Sequence, residues 1–165
     1  MKTTIALLLL SLCQISYAYD YKELNAYEKP ANELFALFQS TDFDQKLDKD
    51  LAHSLIGDLI NKGVDIMKVF AHKYPECALQ YDVIYSEIAS MADLSFDEVH
   101  SKYHDGKGLP TASKLCYLGR SQVVHPVLTQ ILLRSEWNLE IKEEVLHEVE
   151  EVIEHLALIE RYLNK

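Results

Sequence analysis

LEIKEEVLHEVEEVIEHLALIERYL, residues Leu139 to Leu163, decides the fold. Val145, Val149, Val152, Leu156, Ile159 and Leu163 recur at alternating steps of four and three, which lays an apolar seam along one side of an α-helix. The charged remainder, eight glutamates from Glu140 to Glu160, is expected to face water. Asn138 stands where a side-chain oxygen would cap the first turn.

Such a seam needs partners, and the rest of the chain supplies them. Leu47, Leu51, Leu55 and Leu59 recur every four residues and are continued by Ile66 and Phe70, before Pro75 ends the pattern. Gly57 and Gly63 interrupt it and mark either close approach of a neighbouring helix or a kink, each weakening the helix by about 1 kcal/mol relative to alanine. Leu79, Val83, Ile84, Ile88 and Met91 predict another helix. Ser95 with Glu98 is a capping box, and Leu94 with Val99 a hydrophobic staple, for a short helix that Asp105-Gly106 stops. Helix is expected again from Ser113, broken at His125-Pro126 because proline disfavours helical geometry in the residue before it. Near the start, Pro30 suits the first position of a short helix carrying Leu34, Phe35, Leu37 and Phe38, preceded by an extended arm or loose turn from Tyr19 to Lys29. No strand pattern and no internal repeat appears. The expected fold is all-α: an irregular bundle of five or six helices in a single domain.

Lys2, the apolar run Ile5 to Leu12 and then Ser16-Tyr17-Ala18 predict a signal peptide over residues 1–18, leaving a helical domain over 19–165. The run falls well short of the roughly 20 residues that cross a bilayer, so no transmembrane segment is expected. The protein would be exported, to the periplasm of a Gram-negative bacterium or otherwise to the extracellular space. The formal charge of −10, or −11 without Lys2, argues against nucleic acid as a partner and suits a basic protein. In an oxidising compartment, Cys77 and Cys116 read as a disulfide, closing a loop that would stabilise the fold by roughly 4 kcal/mol.

Chemistry-bearing residues gather around a second stretch, His100 to Pro110. Its Asp105-Gly106-Lys107-Gly108-Leu109-Pro110 resembles the Asp-Gly-x-Gly-Tyr-Pro element of HD-GYP phosphodiesterases, helical proteins that bind metal ions and cleave cyclic dinucleotides. The likeness covers about six residues. His100, Ser101 and Lys102 stand where that family has His-His-Glu, Leu109 replaces the tyrosine, and His53 is followed by Ser54 where the family has aspartate. Lysine and serine do not replace carboxylate and imidazole at a divalent cation, so the shared element reads as the turn chemistry of glycine and proline.

A metal reading survives without the family. His100 and His104, one helical turn apart, share a face; Asp105 follows, and His125 lies beyond Cys116, which a disulfide to Cys77 would hold close. His147, Glu151 and His155 form another ladder, with His147 opposite the seam, His155 at its edge, and the whole read as a solvated face. No nucleophile motif, Walker loop or His-Glu-x-x-His is present, so no catalytic residue is assigned. Two functions follow: a small exported bundle that acts by binding a protein partner and needs no cofactor, or a metal-binding protein or metal-dependent hydrolase built on His100, His104 and His125.

Overall fold

The computed structural model describes residues 22–165. The expected signal peptide, residues 1–18, and the first residues of the expected arm lie outside them. The described residues are all-α, with helices α1 (Lys22–Ser40), α2 (Lys49–Lys73), α3 (Ala78–Met91), α4 (Phe96–Val99), α5 (Cys116–Leu132) and α6 (Leu139–Leu163). A 3₁₀ turn, Pro75–Cys77, leads into α3, and α4 runs directly into one π-helical turn, His100–His104.

The central element is α5, which packs against α2, α3, α6 and the π-helical turn. Almost every residue along it is buried. The α6 seam predicted from spacing is buried throughout, and Asn138 caps that helix by accepting from the Ile141 amide. The Ser95–Glu98 capping box forms in both directions. Gly106, at φ +76°, turns the chain out of the π-helical segment, a conformation that L side chains rarely adopt.

Two prolines behave otherwise than the sequence suggests. Pro30 lies inside α1 instead of opening it, because Leu24, Tyr27, Ala31, Leu34 and Phe38 form one continuous buried face that starts two turns earlier. The carbonyl that Pro30 cannot serve, that of Ala26, belongs to an exposed residue. Pro126 likewise lies inside α5, which begins at Cys116 and runs on without the expected break. Here the freed carbonyl is that of Gln122, buried, and the Tyr27 hydroxyl donates to it at 2.7 Å. A long-range hydrogen bond thus replaces the missing helical one, and α5 continues.

The same carbonyl explains one glycine. A Cβ on Gly63 would overlap the Gln122 carbonyl, so Gly63 permits α2 to approach α5 backbone to backbone. Gly57 has open space around it and serves no such contact. Cys77 and Cys116 form the disulfide, with Cα atoms 5.2 Å apart, and tie the start of α3 to the start of α5. Tyr81 donates to the Cys116 carbonyl at 3.0 Å from the same side.

Candidate metal centre

Three segments converge on one point: the π-helical turn, the first ten residues of α5 and the middle of α6. His104 comes from the turn. Arg120 fixes it there, donating from Nε to the Tyr103 carbonyl at 2.9 Å and from Nη2 to the His104 carbonyl at 3.1 Å. Its remaining arm, Nη1, donates to Gln80 on α3 at 2.8 Å. A planar fork with all three arms engaged holds the turn in a single orientation.

His125 comes from α5 and is buried, with a side chain 2% exposed. Its Nδ1 lies 2.7 Å from Glu148 Oε2 and its Nε2 lies 3.1 Å from Glu151 Oε2, both carboxylates on α6. His104 shows the same polarity. Its Nδ1 lies 3.3 Å from Asp105 Oδ1, and its Nε2 lies 3.9 Å from Glu151 Oε2. Each imidazole therefore has Nδ1 on a carboxylate and Nε2 directed at a common point, where Glu151 meets them. The ligand atoms of His104, His125 and Glu151 lie within 4.8 Å of one another.

The Tyr117 hydroxyl stands among them, 2.7 Å from His104 Nε2, 3.2 Å from His125 Nε2 and 3.5 Å from Glu151 Oε2. The disulfide sets its position, since Tyr117 follows Cys116 directly. His155, one turn beyond Glu151, packs its ring edge to face with Tyr117 and 5.6 Å from the His125 ring. Its Nδ1 is buried without a hydrogen-bond partner.

The electrostatics follow from burial and pairing. Burial opposes charge on His125, but the hydrogen bonds to Glu148 and Glu151 outweigh it and hold its pKa above the usual histidine value. The hydrogen bond to His125 in turn pushes Glu151 down to about 2. His104 and His155 are depressed, chiefly by burial, His155 to about 4. His104 and His155 thus favour the neutral imidazole, beside Glu151, whose carboxylate is held well into its ionised range.

Of the residues singled out from sequence, His104 and His125 meet. His100 and Asp105 stay on the outer side of His104. His100 stacks between Phe96 and His104, with its Nδ1 3.6 Å from Asp105 Oδ1, and Lys107 takes the other oxygen of Asp105 at 2.9 Å. These three, His100, His104 and Asp105, form a second, more exposed group with ligand atoms within 4.8 Å of one another. The α6 ladder divides: His147 remains exposed, whereas Glu151 and His155 turn toward α5. Glu148, expected in water with the other glutamates, is buried.

Sequence reasoning missed Glu148, Glu151 and Tyr117 as members of the site. A signal for the glutamates existed: Glu148 follows Val145 by three and precedes Val152 by four, and Glu151 stands in the same relation to Glu148 and His155. Tyr117 carried no comparable signal among ten tyrosines. Compared with protein families, curated proteins and solved structures, the chain matches none, and the functional reading rests on the geometry of these side chains.

Proposed function

We propose that the protein binds one transition-metal ion through His104 Nε2, His125 Nε2 and a carboxylate oxygen of Glu151. The observation that carries this reading is the shared polarity of the two imidazoles: each has Nδ1 against a carboxylate, Glu148 or Asp105, and Nε2 toward the same point. A carboxylate behind a ligating histidine fixes its tautomer and raises its basicity, which is the usual support of a metal-bound imidazole. Imidazole with carboxylate suits zinc, copper, iron or nickel. A bound ion would displace to solvent any proton between His125 Nε2 and Glu151 Oε2, now 3.1 Å apart, and would supply the attraction to both atoms in its place.

The test is titration of purified, chelator-treated protein with zinc or copper, followed by calorimetry and elemental analysis. One equivalent per chain is expected. His125→Ala should abolish binding, and Glu148→Gln, which touches no ion, should weaken it by about 10- to 100-fold. Stoichiometry below a tenth of an equivalent in the wild-type protein would end the reading.

A second reading, action by binding a protein partner, is supported by one end of the bundle. Phe43, Leu51 and Leu139 are large apolar residues left exposed there. The loops around them are tied together by Trp137 donating to the Asp42 carbonyl and Lys49 to the Leu133 carbonyl. The disulfide supports an oxidising destination, in line with the expected export.

A further inference from the structure

We propose that Tyr117 is the fourth ligand of this centre, bound as phenolate, and that the ion is an oxidised one able to accept phenolate charge, Cu(II) or Fe(III). The inference rests on the three-residue metal reading and specifies what that site takes.

The geometry is that of a fourth corner. Ligand atoms around a tetrahedral four-coordinate ion at about 2.0–2.2 Å stand about 3.3–3.6 Å apart. The Tyr117 hydroxyl lies 2.7, 3.2 and 3.5 Å from the three other donors, and His125 Nε2 to Glu151 Oε2 is 3.1 Å. The His104 Nε2 to Glu151 Oε2 edge is 3.9 Å, and the ligand atoms of His104 and His125 lie within 4.8 Å of one another. The shortest edge must open by about 0.6–0.9 Å and the 3.9 Å edge close by about 0.3–0.6 Å to reach the tetrahedral value. The hydroxyl therefore already stands among the three donors, and shifts of about an ångström or less complete the site.

The position is also built. Tyr117 follows a disulfide-bonded cysteine whose carbonyl is held by Tyr81, and the Arg120 guanidinium lies 5.1 Å from the Tyr117 ring centre. His155 packs edge to face with the ring, so the phenol cannot swing away without disturbing α6. On binding, the phenolic O–H bond breaks, its proton passes to solvent, and the oxygen lone pair forms the bond to the ion. No electron is transferred. The donor set becomes two imidazole nitrogens, a carboxylate oxygen and a phenolate oxygen. Phenolate is a strong donor toward an oxidised, electron-poor ion, and copper heads the divalent series for nitrogen and oxygen sites.

The experiment adds one equivalent of Cu(II), or of Fe(III), to chelator-treated wild-type protein and to Tyr117→Phe, and records visible absorption beside metal content. Circular dichroism checks that both proteins remain folded. The expected result is a visible charge-transfer band in the wild-type complex, with phenolate modes enhanced in its resonance Raman spectrum. In Tyr117→Phe the band disappears while metal still binds, with affinity reduced at least tenfold. A wild-type complex that holds metal without phenolate modes overturns the Tyr117 assignment and leaves the three-residue site standing, as does a band that survives in Tyr117→Phe. Failure of the wild-type protein to hold Cu(II) or Fe(III) overturns the phenolate assignment, and failure to hold zinc as well overturns the three-residue site. The wild-type Raman spectrum decides the matter even if the variant does not fold.

Discussion

Tyr27 and Pro126 are separated by most of the chain, yet each explains the other. Pro126 has no amide to offer the Gln122 carbonyl, and the Tyr27 hydroxyl supplies the bond from α1. Removing that hydroxyl leaves a buried carbonyl unpaired, so Tyr27→Phe is expected to destabilise the fold by about 1–3 kcal/mol in urea denaturation. In a Pro126→Ala background the helix regains its own amide donor, and the same substitution should then cost less than half as much. Equal losses in the two backgrounds would show that the two residues are not coupled through this carbonyl.

For the helices themselves, the sharpest contrast lies between the two glycines of α2. Gly63→Ala drives a methyl group into the Gln122 backbone and is expected to lower stability by about 1–3 kcal/mol, while Gly57→Ala, free of contacts, should raise it by about 1 kcal/mol. Thermal or denaturant melts of the two variants check both signs. From sequence alone the pair reads identically, because spacing reports which face a residue occupies and not how near the next backbone comes. The same limit explains α1 and α5. Periodicity located their buried faces, but whether a proline breaks a helix depended on a donor from another element or on solvent at the freed carbonyl. The α6 seam and both caps were legible because they are local patterns. His104 and His125 were legible as chemistry, whereas Glu148 and Glu151 were hidden by the rule that a glutamate-rich helix face meets water. That rule fails where a buried histidine provides the partner.

Across the whole molecule, the chemistry and the exposed apolar end are separate features. No described helix is long and apolar enough to cross a membrane, so Phe43, Leu51 and Leu139 are not accounted for by a spanning segment. If this end meets a protein partner, Leu139→Asp should abolish capture of a specific, identified partner from extract of the source cell, with no change in metal content and little change in melting temperature. Capture that is indifferent to Leu139→Asp and Phe43→Asp would remove this end from consideration. The disulfide acts at the same scale, joining residues 39 apart and restricting the unfolded chain by roughly 4 kcal/mol on loop-closure grounds.

One property follows from the placement of α5. It carries Tyr117 and His125, receives the disulfide, and is enclosed by α2, α3, α6 and the π-helical turn. An element surrounded in this way has no low-energy local opening, and its amides exchange with solvent only when the whole fold is lost. Tyr117 and His125 would therefore leave the centre only with loss of the whole bundle, whereas His104 and Glu151, with side chains 22% and 29% exposed, form the side through which an ion would enter and leave.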